Sequence, residues 1–139
     1  MRKWTTAFAV MGLLLLIAGI TGAEGRRQIR WWNTPEYMEA LKLTEGEIQQ
    51  LNQAYETYSL DMVGLKGQVE AARLKLQFLM EKEELDEPAM ETQYNRLEEA
   101  RATLGKARFA FYIQVRKIIG PQRFSQLMEI FKERRSKGK

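Results

Sequence analysis

The sequence of 139 residues contains no cysteine and no histidine. The missing cysteine excludes disulfides, thiolate metal ligands and cysteine nucleophiles, and the missing histidine excludes imidazole bases and the commonest ligand of transition metals. Serine occurs only at residues 59, 125 and 136, and no glycine-rich phosphate-binding motif is present. We therefore expect a binding or regulatory protein without a cofactor, and not an enzyme.

The first 23 residues have the features of a secretory signal. Arg2 and Lys3 precede an uncharged run that ends at Ala23 and is strongly apolar over residues 7–20. Small residues at positions 21–23 suit a signal peptidase, so we predict cleavage after Ala23. An uncleaved membrane anchor is the alternative, because the run has about the ~20 residues that span a bilayer. Either outcome predicts an exported protein, in contact with a membrane only if the signal is retained.

Charge is distributed in segments along the chain, although the formal net charge is only +4. Basic residues cluster near both ends, at positions 26, 27 and 30 and at positions 132, 134, 135, 137 and 139, whereas acidic residues crowd positions 81–91. We interpret residues 132–139 as a solvated, disordered basic tail. Nucleic-acid binding is not expected of an exported protein.

Helix signals dominate the rest of the chain. Thr34 and Pro35 have the pattern of an N-cap and first helical residue, and predict a short helix to about residue 41. Thr44 and Glu47 form a capping-box pattern at the start of a second helix. Apolar residues then recur in alternating steps of three and four from Ile48 to residue 79. This pattern predicts a coiled-coil seam on a long helix over residues 45–84.

A third helix is predicted to start at Asp86-Glu87-Pro88, because proline fits only the first turn of a helix. Two arginines, Arg101 and Arg108, occupy heptad positions that favour apolar residues. We expect the seam to rotate onto the neighbouring alanines, Ala100 and Ala107, while the arginines extend into solvent. The alternative is that both arginines face a partner.

Gly120-Pro121 is predicted to end the third helix, and a short amphipathic fourth helix follows to residue 131. The third helix also carries a second apolar stripe, formed by Phe109, Tyr112 and Ile113, which we predict to be a homodimer interface. The predicted fold is all-α, a long bent antiparallel helical hairpin with short terminal helices. Its predicted organisation is a signal at 1–23, a flexible arm at 24–33, a hairpin domain at 34–131 and a basic tail at 132–139.

Two helix starts resemble each other: LTEGEIQQL at 43–51 and IGPQRFSQL at 119–127. With the signal and the hairpin, they make the chain similar to the Spy/CpxP group of periplasmic proteins, whose signature is a pair of LTxxQ motifs. The matching positions here are Leu43, Thr44, Glu47, Ile119, Gly120 and Pro121, with Glu47 where the group has glutamine. The resemblance implies a cradle-shaped antiparallel dimer in the periplasm that binds unfolded envelope proteins or modulates a sensor kinase.

The main functional hypothesis is an ATP-independent periplasmic chaperone or envelope-stress modulator. Its candidate client-binding residues are Arg73, Arg101, Arg108, Arg116 and Met62, although Met62 also fits the seam. The resemblance extends to zinc-resistance-associated proteins and CnrX-type sensors, so a heavy-metal sensor or resistance protein is an alternative. The candidate donors would be carboxylates at Glu81, Glu84, Asp86 and Glu87, which suit hard cations. A structural coiled-coil partner of an envelope complex is the third possibility.

Overall fold

The computed structural model describes residues 30–138. Over that range the chain forms a 3₁₀ turn, Trp31–Asn33, followed by three α-helices without any strand: α1 (Pro35–Ala40), α2 (Glu45–Met80) and α3 (Glu87–Lys137). The all-α prediction is confirmed, and α2 and α3 pack against each other as a helical hairpin. The predicted signal lies outside the described residues. No helix in the described range is long and apolar enough to cross a membrane.

The chain divides into two units. The hairpin unit, Leu43–Phe124, contains α2 and most of α3. The terminal unit consists, in its described part, of residues 30–42 and 125–138.

The predicted capping box starts α2. The Thr44 hydroxyl accepts a hydrogen bond from the Glu47 N–H at 3.2 Å, and the Glu47 carboxylate accepts one from the Thr44 N–H at 3.0 Å. The helix ends at Met80 rather than at residue 84. Acidic side chains at 81, 83 and 84 oppose the negative C-terminal end of the helix dipole, which accounts for the earlier end.

Asp86 starts α3 as predicted, since its carboxylate accepts a hydrogen bond from the Ala89 N–H at 3.0 Å. The predicted break at Gly120-Pro121 is also confirmed, because Gly120 has a non-helical backbone (φ 81°, ψ 171°) inside α3. The helical segment after the break continues to Lys137. Residues 132–137 are therefore helical and not a disordered tail, and their basic side chains favour the C-terminal end of the helix dipole.

The core of the hairpin unit is a thin line of side chains between the two long helices. Its buried apolar members are Leu51, Met62, Leu97, Phe111, Val115 and Ile119. The rings of Tyr58 and Phe111 stack with centroids 4.5 Å apart. Ala100 and Ala107 are half-buried while Arg101 and Arg108 are exposed, so the predicted rotation of the seam is confirmed.

The terminal unit is built around aromatic rings. Trp32 is buried, and Trp31 lies edge-on to Trp32 and to Phe131, with centroids 5.2 and 6.5 Å apart. Residues 31–33, predicted as part of a flexible arm, are therefore an ordered turn, because the tryptophans bury apolar area against residues that follow about 100 positions later. The Thr34 hydroxyl donates to the Trp31 carbonyl and does not cap α1.

Candidate functional site

The two helix-start motifs meet in the hairpin unit. The Arg123 guanidinium donates two hydrogen bonds to the Glu47 carboxylate, one of them 2.8 Å long from Nη1 to Oε2. Arg123 Nε also donates to the carbonyl of Ile119 at 2.8 Å. We call Thr44, Glu47, Ile119 and Arg123 the motif junction. It joins the start of α2 to the segment of α3 that contains the Gly120 break.

The carboxylate of the motif junction keeps its negative charge to low pH in the folded chain. Hydrogen bonds from Arg123 are the main cause that lowers the pKa of the Glu47 carboxyl to about 2, and the Thr44 N–H contributes in the same direction. Both side chains are largely shielded from water, with 29% of Arg123 and 18% of Glu47 exposed. An ion pair with two hydrogen bonds in such a place fixes geometry as well as contributing energy.

Sequence reasoning placed Glu47 in the capping box but missed its partner. The structure explains why glutamate stands where the resembling group has glutamine: the charge pairs with Arg123. The sequence did contain one signal for this pair. When the two motifs are aligned, Arg123 in the second motif stands at the position of Glu47 in the first and carries the opposite charge. Among the other motif positions, Leu43 is half-buried, Ile119 is buried, and Pro121 follows the left-handed Gly120.

The four candidate arginines are exposed on the hairpin unit but do not form one cluster. Arg73 pairs with Glu70 at 2.7 Å and Arg101 with Glu98 at 2.6 Å, each within its own helix. The Gln93 amide donates to the Ala72 carbonyl, so Arg73 lies level with residue 93 of α3. Arg108 is 15 residues further along that helix, about 22 Å away at 1.5 Å per residue. The remaining candidate arginine, Arg116, lies two turns beyond Arg108.

Met62 is only 5% exposed and belongs to the core of the hairpin unit. Met62 therefore packs in the seam and does not contact a client, because a buried side chain offers no surface for binding. The candidate client surface therefore consists of the four arginines.

The predicted dimer residues have unequal environments. Phe109 is 56% exposed and Ile113 is 38% exposed on the outer side of α3. Tyr112 is half-buried, its ring lies 6.0 Å from that of Phe111, and desolvation raises the pKa of its phenol. Two of the three side chains are thus available on the outer surface, and dimerisation through them stays a prediction.

Several large hydrophobic side chains are exposed on the hairpin unit. The exposed large hydrophobic residues are Leu60, Val63, Phe78, Met80, Leu85, Tyr94, Phe109 and Ile113. A shallow groove of about 430 Å³ runs beside the Tyr58–Phe111 stack, with Asp61 and Gln114 among its polar lining residues. A partner protein can bury side chains of this kind.

The carboxylates proposed as metal donors do not make a metal site. Glu81, Glu84, Asp86 and Glu87 are exposed in and beside the turn between α2 and α3. In residues 30–138 no three carboxylates lie close enough together to hold a metal ion. The sequence also has no histidine or cysteine, which soft and borderline metals prefer. The donor set therefore does not fit a heavy-metal ion.

The fold and these surfaces define an all-α hairpin protein that presents charged and apolar side chains. A family model described as heavy-metal resistance matches residues 4–126. Because the match covers most of the sequence, the chain belongs to the heavy-metal resistance family. No curated protein and no solved structure matches it.

Proposed function

We propose that this protein acts in heavy-metal resistance in the periplasm, and that it does so by binding another protein. The observation that carries the proposal is membership of the heavy-metal resistance family over residues 4–126. The apolar side chains exposed on the hairpin unit support the second part, because they supply contact area that a second protein can bury. The secretory signal predicted at residues 1–23 supports the location.

The chemistry of the side chains favours protein contact over metal ligation. Carboxylates in an exposed turn bind hard cations weakly, and the methionine in the core of the hairpin unit, Met62, is buried away from solvent. By contrast, arginine and exposed aromatic or aliphatic residues are common at protein interfaces. A sensor kinase or a metal-efflux component is the class of partner that this role requires.

Deletion of the gene in its native host tests the metal-resistance role. We expect growth of the deletion strain to fall at sub-lethal zinc, nickel or cobalt, and to recover when the wild-type chain is supplied. Unchanged tolerance to all three metals would overturn the proposal. The matched control is a complementing variant with Leu51→Asp, which places a charge in the core and should not restore tolerance.

Isothermal titration of the purified chain tests the mode of action. We expect no micromolar binding of zinc or nickel, because the donor set lacks nitrogen and sulfur ligands of the usual kind. Micromolar binding of either metal would show that the protein holds the ion itself and would refute action through protein contact alone.

A second candidate is an ATP-independent chaperone of the Spy/CpxP type. The specific observation that favours it is the interleaving of exposed apolar residues with exposed arginines on α3, where Phe109 lies beside Arg108 and Ile113 lies near Arg116. Such a surface contacts unfolded segments of mixed character. A homodimer would present two copies of it.

An aggregation assay tests the chaperone role. We expect the wild-type chain to keep an aggregating model protein in solution at low salt, and the double variant Arg101→Glu, Arg108→Glu to lose the effect. The control reverses the same number of charges in the terminal unit, at Lys132 and Lys137, and should retain the effect. If the chain does not protect the model protein at several-fold molar excess, the chaperone role is refuted. Recovery of a single stoichiometric partner from cell extracts would instead support a structural coiled-coil role.

A further inference from the structure

The terminal unit has a surface on which aromatic rings and basic side chains lie together. We call it the terminal patch, and its residues are Arg30, Trp31, Phe131, Arg134 and Arg135. The rings of Trp31 and Phe131 lie edge-on with centroids 6.5 Å apart, and both residues are half-buried. Arg134 and Arg135 follow Phe131 by three and four positions in α3, so they lie one turn further along the same face. Arg30 directly precedes Trp31 and is exposed.

The basic charge at this place exceeds what the fold of the terminal unit uses. Arg134 does support the fold, because it binds Glu36 and its guanidinium lies 4.8 Å from the centroid of the Tyr37 ring. Three further basic residues at the same end of α3 are exposed, and they are Lys132, Arg135 and Lys137. The helix dipole favours cations in the last turn of a helix, but it does not account for Arg30, which precedes the first helix.

The terminal patch lies close in the sequence to the apolar run that we predict to be a signal or an anchor. Arg30 is seven positions after Ala23, where that run ends. At ~3.5 Å per residue, a retained anchor keeps the patch within about 25 Å of the end of the run. Positions 26 and 27 add two arginines within this interval. Basic clusters beside a membrane segment bind anionic lipid headgroups.

We propose that the terminal patch docks on a membrane surface of anionic phospholipids. The guanidinium groups bind lipid phosphates, for which their planar geometry is suited. The ring of Trp31 lies at the level of the headgroups, where amphipathic aromatic rings are favoured. A nucleic acid or an acidic peptide complements only the charges, whereas the bilayer interface complements both the charges and the rings and is within reach of the chain. The docking adds a membrane contact to the role in metal resistance proposed above.

Tryptophan fluorescence tests the contact directly. The chain has three tryptophans, so Trp4→Phe with Trp32→Phe leaves Trp31 alone. The full chain is added to vesicles of phosphatidylcholine, or of equal parts phosphatidylcholine and phosphatidylglycerol, whose lipids are brominated close to the headgroup. We expect strong quenching of Trp31 in the anionic vesicles only. Equal quenching in both vesicles would mean that the apolar run alone brings Trp31 to the lipid. That result, or no quenching in either vesicle, would overturn the proposal.

A fluorophore on a single cysteine gives a second measurement that leaves the buried Trp32 in place, because the natural chain has no cysteine. Ser136→Cys lies between Arg135 and Lys137 at an exposed position. We expect an environment-sensitive fluorophore there to shift to the blue with anionic vesicles, and the shift to shrink at high salt. The same fluorophore at Gln77→Cys, an exposed position of the hairpin unit, is the control and should not shift. A shift at Gln77→Cys but not at Ser136→Cys would overturn the proposal.

Removal of basic side chains tests whether the patch itself binds the lipid. We expect Lys132→Gln with Arg135→Gln to reduce the quenching of Trp31 by at least about half. Lys106→Gln with Lys117→Gln removes the same charge from exposed positions of the hairpin unit and should leave the quenching unchanged. Equal reductions would show that net charge, and not the patch, attracts the vesicles. That result would overturn the proposal, as would an equal shift of the Ser136→Cys fluorophore with polyglutamate in place of vesicles.

Discussion

The two ends of the hairpin unit differ in how much holds them together. At the base, where the motifs meet, α2 starts with a capping box, Arg123 binds Glu47, and Leu51 and Ile119 are fully buried. At the tip, residues 81–86 form an acidic turn, and Leu85 in the turn and Phe78, Met80 and Tyr94 beside it are exposed. Within α2 no residue after Met62 is buried.

The base therefore contributes mainly to the stability of the fold, and the tip is available to bind other molecules. The base concentrates buried apolar area and a shielded ion pair, both of which stabilise the folded chain. The tip leaves apolar side chains in water, where they add little to folding and are free to meet another molecule. Substitutions at the base should therefore change the free energy of unfolding, and substitutions at the tip should change binding.

The largest expected effect is at the buried end. Leu51→Ala removes a side chain with no exposed area and leaves a cavity, so we expect a loss of about 3 kcal/mol in the free energy of unfolding. Urea unfolding followed by circular dichroism measures it. Leu85→Ala makes the same truncation at the tip, where the residue is 65% exposed, and should change stability by less than about 0.5 kcal/mol. Equal losses in the two variants would erase the distinction between base and tip.

The second largest expected effect is a loss of folding stability at low pH. The pKa of Glu47 is about 2 in the folded chain and about 4.3 in an unfolded chain, so its contribution is complete above about pH 5. Stability should fall as pH drops from 5 toward 2, because the unfolded chain binds the proton first. Allowing for partial exposure, we expect the loss to be about 2 kcal/mol.

Glu47→Gln isolates this contribution. The amide keeps an acceptor for the capping box but removes the charge that Arg123 binds, so the variant should lose about 2 kcal/mol at pH 7 and show a weaker acid dependence than wild type. Glu70→Gln breaks an exposed pair within α2 and is the matched control, with an expected change near zero. An unaltered acid dependence in Glu47→Gln would place the titrating group elsewhere.

Local signals in the sequence were enough for most of the fold. The capping box at Thr44, the N-cap at Asp86 and the break at Gly120 each depend on a few neighbouring residues, and the periodicity of α2 identifies its buried face. These features are set by short-range sterics and hydrogen bonding, which the order of residues already contains.

Features that depend on distant partners were not predictable in the same way. Arg123 and Glu47 are 76 positions apart, and periodicity fixes which face is buried but not the register between two helices. Residues 132–137 read as a disordered tail because their charges are solvated locally. Their helix is supported by Arg134, which pairs with Glu36 and lies 4.8 Å from the centroid of the Tyr37 ring, contacts that the tail alone does not reveal.

Replacement of the buried amide of Gln93, which lies between the base and the tip, should cause a smaller loss of stability. Gln93 is 6% exposed, and its side chain donates to the Ala72 carbonyl at 3.0 Å across the hairpin. Gln93→Met keeps the volume but leaves that carbonyl without this donor, so we expect a loss of about 1 kcal/mol in urea unfolding. Gln77→Met, at an exposed position of α2, is the control and should be neutral. A stabilised Gln93→Met would mean that the apolar surroundings outweigh the hydrogen bond.

The smallest effect on stability should come from the tip itself. The double variant Leu85→Ser, Tyr94→Ser removes apolar area that is already exposed, so its urea midpoint should match that of wild type to within about 0.5 kcal/mol of unfolding free energy. Leu97→Ser, about one turn beyond Tyr94 but buried, should lower the midpoint clearly and serves as the contrast.

The same double variant at the tip tests whether partner proteins bind there. If partner proteins contact the tip, the double variant should lose protection in the aggregation assay or fail to restore metal tolerance while remaining folded. Retention of both activities would confine partner binding to the remainder of the hairpin unit. Because surface truncation leaves the core intact, any loss of activity in this variant reports on contact and not on unfolding.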